Sequence, residues 1–346
     1  MPDELPRYDR TQTYRWNYDH APDSPPAVDV PPVGGSWTVC RRPVGSPLGI
    51  SAGPLLNGRW ILYYAALGFD LLTYKTTRSR FRECYDLPNL QPVETGPIHT
   101  AGGTLAAMDE MRGDWAISFG MPSREPADWR ADVEWTRRRL PKEKLLSVSV
   151  VATQQPGWTL DDLADDFARC AKWALDSGAD VAETNFSCPN VTTVDGQLYQ
   201  QPAGAGLVAQ RVRAAIGRAP YSIKIGLVES DDLAGELIAA IGPFADALAM
   251  TNTISAKVRR TDGAPLFGGQ SRGIGGESIR AASLAQVARF ARIIKQQRLP
   301  TRITGCGGIS SAEHVRDYLA AGAESVQLAT AVMVDPLVGC KIRREL

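Results

Sequence analysis

The chain has 346 residues, 44% of them hydrophobic, with 38 basic side chains balanced by 38 acidic ones, so it can bury a sizeable core and carries no formal net charge. That balance excludes the basic footprint of a nucleic-acid binder or of a protein held on an anionic membrane, while small polar or anionic ligands stay open. Met1 to Arg10 are charged and proline-containing, and nowhere do about 18 apolar residues run together, so a soluble, cytoplasmic protein is expected.

The six cysteines (Cys40, Cys84, Cys170, Cys188, Cys306 and Cys340) form no CxxC pair, which argues against a zinc site or a cysteine-ligated cluster and for reduced thiols, with no metal. The three histidines, His20, His99 and His314, do not cluster, and none is a strong candidate for a ligand or base.

Residues 1–45 are rich in Pro, Asp and Tyr and lack helical period, so they read as an irregular arm docked over a main domain spanning 46–346. From there apolar and amphipathic stretches alternate. Strands are predicted at 47–53, 70–75, 145–151, 179–185, 221–226, 247–252, 301–304 and 325–328. Helices are predicted near 59–67, 160–176, 206–216, 232–241, 278–296 and 312–321. The 160–176 segment starts at a Thr159/Asp162 capping pair and places Cys170 on its apolar face. One long, charged insertion, from Thr76 to about Lys144, interrupts the rhythm after strand 2.

Repeated βα units with short joins imply parallel strands and right-handed crossovers, and about eight strands is the number that closes a (β/α)8 TIM barrel. The competing open, doubly wound sheet lacks its phosphate fingerprint, because the first βα turn reads Ser51-Ala52-Gly53-Pro54. In a barrel the strand ends converge on one mouth. There they present Lys75, Asn185, Cys188, Asn190, Lys224, Thr251-Asn252-Thr253, Gly305 to Gly308, and Ala329-Thr330.

The glycines Gly307 and Gly308 allow a close backbone approach to an anion, and the helix that follows, beginning near Ser311, aims its positive end at the same place. A second glycine-rich loop, Gly273 to Gly276, favours a phosphorylated cofactor over a simple tight turn. Lys75 and Lys224 each end an apolar run, where a lysine is costly to bury unless it meets an anion or an electron-rich ring, although lysines at strand ends are also ordinary surface residues. Pro189 places Cys188 on a loop at the mouth, with a buried structural cysteine as the alternative reading. Asn185 and Asn190 beside it offer donors and acceptors suited to a planar amide or imide, and asparagine is also a common turn former.

Together these segments resemble the dihydroorotate dehydrogenase family. The residues that carry the resemblance are Ser51-Ala52-Gly53-Pro54, Lys75-Thr76, Glu183 to Val191 (ETNFSCPNV), Lys224, Asn252-Thr253, Gly273 to Gly276 and Gly307-Gly308-Ile309, over about residues 44–335. The resemblance implies an FMN-dependent barrel in which Ala52, Gly53, Lys75, Thr76, Asn185, Lys224, Gly276, Gly307, Gly308, Ala329 and Thr330 hold the flavin and its phosphate. It further implies that Lys75, Asn185, Asn190, Asn252, Thr253, Gly120 and Met121 hold a pyrimidine-like substrate. Cys188 would be the catalytic base, taking a proton from one carbon while its neighbour gives hydride to flavin N5. A cysteine in that position is similar to the soluble class, for which a homodimer is expected.

The segment Ala116 to Pro122 resembles the family's NSxGxP loop, yet Ile117 stands where the family has a substrate-binding asparagine. This points to dihydroorotate or a related dihydropyrimidine or cyclic amide as substrate. Two other readings compete: a flavin-free, phosphate-binding lyase or aldolase using Lys75 or Lys224 as a Schiff base, and a barrel that binds flavin without turnover.

Overall fold

A computed structural model describes residues 5–187 and 197–346. In the N-terminal arm, helix α1 (Tyr14–Asp19) starts where the Thr13 hydroxyl accepts from the Trp16 N–H. Among its described residues the arm is otherwise without regular structure as far as strands β1 (Trp37–Val39) and β2 (Arg42–Val44), an antiparallel hairpin. Asn17, fully buried, ties the arm to itself: its Oδ1 accepts from the Asp9 N–H at 2.7 Å and its Nδ2 donates to the Asp9 carbonyl at 2.9 Å.

The barrel begins with β3 (Leu48–Ile50), helix α2 (Gly58–Ala65) and β4 (Leu71–Thr77). The stretch between 76 and 144, expected as one long insertion, divides in two. Strands β5 (Leu90–Glu94), β6 (Thr104–Ala107) and β7 (Asp114–Ile117) leave the barrel, and α3 (Pro126–Arg139) is the barrel's own crossover helix back to β8 (Leu145–Val150). Helix α3 has Pro126 in its first turn, Asp128 near its positive end and Arg137, Arg138 and Arg139 near its negative end, as the helix dipole favours. Its buried stripe is only Trp129, Val133 and Thr136, too narrow to stand out by periodicity.

The βα alternation then runs as expected: α4 (Leu160–Asp176), β9 (Val181–Asn185), α5 (Pro202–Ile216), β10 (Tyr221–Lys224), α6 (Asp231–Ile241) and β11 (Ala247–Met250). Both halves of the Thr159/Asp162 capping box form, and Cys170 is core. Next come β12 (Ile254–Arg259), β13 (Arg272–Gly276), α7 (Arg280–Gln297), β14 (Arg302–Cys306), α8 (Ala312–Ala320), β15 (Ser325–Leu328), α9 (Thr330–Val334) and α10 (Val338–Glu345).

Eight parallel strands close the barrel in the order β3-β4-β8-β9-β10-β11-β14-β15. A second closed sheet, β12-β13-β7-β5-β6, forms a cap from the chain that leaves β4 and β11 at their C-terminal ends. Gly273 to Gly276 is a correction to the sequence reading: it is strand β13, not a loop, paired antiparallel with β7 from Gly273↔Ile117 to Gly276↔Asp114. Its glycines serve close packing, since a Cβ on Gly276 would lie 2.0 Å from the Gly113 carbonyl oxygen.

Strand alternation sorts the barrel interior into layers. At the bottom, Leu71, Leu145, Val181 and Ala247 pack on Val39 and Cys40, so the β1–β2 hairpin plugs the lower end. Above them the interior is polar. Thr304 and Ser325 share a hydrogen bond of 3.0 Å, Gln327 Nε2 donates to Thr73 Oγ1 at 3.0 Å, and Glu183 is buried on β9. Among the described residues no helix is long and apolar enough to cross a membrane.

Candidate active site

The upper ends of the strands and the cap enclose a cavity of about 380 Å3. Its wall brings together Ala52, Gly53, Lys75, Thr76, Gly120, Met121, Asn185, Lys224, Asn252, Thr253, Gly276, Gly307, Gly308, Ala329 and Thr330, every candidate site residue that lies among the described residues. Cys188 and Asn190 lie outside the described residues; Ser187, the last before them, is on the same wall.

Both lysines are buried at the mouth. Lys224 Nζ donates to Ser51 Oγ at 3.0 Å, and Ser51 Oγ in turn reaches Gln327 Oε1 at 3.2 Å, so the ammonium is held at the edge of the interior polar layer. Lys75 Nζ lies 4.5 Å from the centroid of the Phe119 ring, a cation over an electron-rich face. Thr76 bonds Ser149 at 3.1 Å.

The asparagines are braced in place. Asn185 Oδ1 accepts from the Ser187 N–H at 3.0 Å, and its Nδ2 reaches Met121 Sδ at 3.7 Å. Asn252 Nδ2 donates to the Ser187 carbonyl and stands 3.4 Å from Asn185 Oδ1. Two side-chain amides and the chain entering residue 188 are thus bound into one unit.

Gly120 and Met121 both have positive φ, at 73° and 53°, and a Cβ on Gly120 would lie 2.7 Å from the Tyr85 ring. Left-handed backbone at a methionine is unfavourable, and such strain concentrates where a side chain must be aimed. Here it turns Met121 onto Asn185. Gly307 and Gly308, with φ of 118° and 68°, form the turn after β14; a Cβ there would strike Ser283 Oγ at 2.3 Å or Arg280 Cβ at 2.5 Å.

Burial shapes the acid–base character below the mouth. Glu183 has one carboxylate oxygen without a hydrogen-bond partner among the described residues, and desolvation raises its pKa, with Lys224 and a Ser149 hydrogen bond pulling the other way. Desolvation also raises the Cys306 thiol against the pull of Lys224, which suits a structural thiol bonded to Gln327 Oε1 at 3.4 Å.

The sequence reading placed Thr251 and Cys306 at the mouth and quoted Ser51 only within its segment, but it missed Phe119, Ile279 and Gln327 as parts of this wall. It also missed Gln286 of α7, fully buried, whose amide donates to Thr251 Oγ1 at 3.0 Å and to the Gly226 carbonyl at 2.8 Å. A glutamine on the apolar face of a helix is a visible signal, because burying its amide requires partners.

The sequence profile of the dihydroorotate dehydrogenase family matches residues 36–346. The chain belongs to the dihydroorotate dehydrogenase family. It is 32% identical over 319 residues to dihydroorotate dehydrogenase of Dictyostelium discoideum, covering 86% of this chain and 84% of that relative. Over 185 residues it is 31% identical to the catalytic subunit of dihydroorotate dehydrogenase B (NAD(+)) of Solidesulfovibrio magneticus, covering 53% of this chain and 58% of that relative. In fold it resembles the crystal structure of DHODH from Eimeria tenella in complex with ferulenol, with a TM-score of 0.76 at 16% identity over 100% of this chain and 92% of that one. Membership makes the chain an oxidoreductase of the type that acts on CH–CH donors.

Proposed function

We propose that the chain is an FMN-dependent oxidoreductase that removes two hydrogens across a C–C single bond of dihydroorotate or a related dihydropyrimidine or cyclic amide, with Cys188 as the base. The observation that carries this reading is the gathering of two buried lysines, two braced asparagines and the Gly307–Gly308 turn on one cavity.

The residues fit the cofactor. A Cβ on Gly53 would meet nothing within 4 Å, so a flat ring has room against that backbone. The Gly307–Gly308 turn, the start of α8 and Ala329-Thr330 offer amides and a hydroxyl for a phosphate, and Lys224 offers a buried positive charge beside the ring site. FMN, when bound, supplies the two-electron acceptor.

This chain's own groups do the rest. Asn185, Asn190 and Asn252 grip the polar edge of the substrate ring through paired amide hydrogen bonds, Lys75 meets its anionic or carbonyl oxygen, and Thr253, Gly120 and Met121 close around it. The Cys188 thiolate takes a proton from the carbon next to the one being oxidised. An unperturbed thiol titrates near about pH 8.5, so turnover should rise towards alkaline pH as the thiolate forms.

Ile117 favours a substrate that differs from dihydroorotate on one face. It ends β7 on the cavity wall, with its Cδ1 3.2 Å from where a Gly275 Cβ would stand, beside Phe119 and Met121. An isoleucine there offers a bound amide or carboxylate no side-chain hydrogen bond, a deficit of about 1–3 kcal/mol against an asparagine. Purified protein loaded with FMN and mixed anaerobically with dihydroorotate, dihydrouracil and other cyclic amides tests the function. Bleaching of the flavin by at least one of them supports it; bleaching by none rejects it.

A further inference from the structure

The family match begins at residue 36, so the arm lies before the matched segment, and it reaches the wall of the site. Tyr8 and Tyr14, both buried, pack on Phe119 in edge-to-face contacts, with centroids 5.8 Å apart at 89° and 6.0 Å apart at 70°. Phe119 is itself buried, lines the cavity, and carries the Lys75 ammonium 4.5 Å from its centroid.

The arm is fastened on both sides of this contact. The Tyr63 hydroxyl donates to the Pro6 carbonyl at 2.8 Å and the Trp60 indole to the Asn17 carbonyl at 3.1 Å, fixing the arm to α2. Beside it, Arg7 Nη1 donates to the carbonyl of Val334, another residue of the cavity wall, at 3.1 Å. A cation over a ring is attracted to its face and not to its edge, so the orientation of Phe119 bears on where the ammonium rests. Two tyrosines packed against the ring fix that orientation.

We propose that the arm is a positioning element of the active site: Tyr8 and Tyr14 hold Phe119, and through Phe119 they set the Lys75 ammonium against the substrate. This rests on Lys75 being a substrate- and flavin-binding residue. At Tyr8 the ring does this, not the hydroxyl, which is buried without a hydrogen-bond partner among the described residues.

The test uses the full-length holoenzyme. Tyr8→Leu and Tyr14→Leu should each raise KM for dihydroorotate, or for dihydrouracil if that is the compound turned over, by about fivefold to tenfold with kcat within about twofold. Tyr8→Phe and Tyr14→Phe should restore the original KM. Lys75→Met should raise KM and weaken FMN binding to the apoprotein, read by quenching of flavin fluorescence, and Tyr8→Leu added to it should raise KM little further. The proposal is overturned if the leucine variants leave KM unchanged, if they lower kcat alone, if the phenylalanine variants fail to restore KM, or if the Tyr8→Leu and Lys75→Met effects multiply in full. If Lys75→Met changes neither KM nor FMN affinity, or if neither compound is turned over, the reading of the site falls and this proposal with it.

Discussion

Four strands carry opposite chemistry at their two ends. On β4, β8 and β9 and at β11, Leu71, Leu145, Val181 and Ala247 form an apolar plug with Val39 and Cys40, while four residues further on Lys75, Ser149, Asn185 and Thr251 stand at the upper end. The period of two keeps both sets facing inward, so one stretch of backbone supports a dry floor and a polar mouth. The floor is held by burial of apolar area, and the mouth by specific partners such as Ser51 for Lys224 and Ser187 for the two asparagines. Stability and chemistry are thereby separated along the strand axis. Substitutions below should alter the first and those above the second.

The largest expected effect lies above. Cys188→Ala should lower kcat by about 10²–10⁴-fold while leaving flavin content as it was, measured by steady-state turnover beside the visible spectrum; full turnover would remove the cysteine from the mechanism. Below, Leu145→Ala should lower the unfolding free energy by about 2–5 kcal/mol in denaturant melts, with KM in the folded fraction unmoved. A KM that shifted with it would break the separation of the two ends.

Ile117→Asn, on the cap, should tighten dihydroorotate binding by about tenfold, seen as a lower KM with the melting temperature little changed. An unchanged KM would mean that this face of the cavity does not meet the substrate.

Glu183 sits between the two ends and gives the smallest and most pH-dependent effect. Its folded pKa is raised by burial, so the folded state holds the proton more firmly than the unfolded chain. Its contribution is full below the unfolded value of about 4.3 and is lost as pH rises through the folded value. Glu183→Gln removes that loss. The stability of the variant relative to the natural chain should therefore improve from pH 4 to pH 7, and a difference flat with pH would show that the carboxyl is not perturbed by folding.

The barrel was legible because each βα unit announces itself: an apolar run such as Leu145 to Val150, then the Thr159 cap and the periodic face of α4. The cap was not, because the short strands β6 and β7, joined through β5, pair with β12 and β13 across more than a hundred residues, and nothing local specifies such partners. Gly273 to Gly276 looked like a loop for the same reason: its strand geometry comes from β7 and β12, not from its own propensity. Lys75, Asn185 and Lys224 could be placed at the mouth because a charged or amide side chain ending an apolar run needs an explanation. Phe119 could not, since only the folded chain brings Lys75 to its face and Tyr8 and Tyr14 to its sides.

The central claim is that this mouth holds a flavin which a dihydropyrimidine reduces. Anaerobic stopped-flow mixing of the FMN-loaded protein with dihydroorotate and with dihydrouracil tests it most directly. The account predicts rapid loss of the oxidised-flavin absorbance with at least one of them, faster as pH rises towards about 8.5 as the Cys188 thiolate forms. A protein that takes up no FMN, or a flavin that stays oxidised with both, would contradict it.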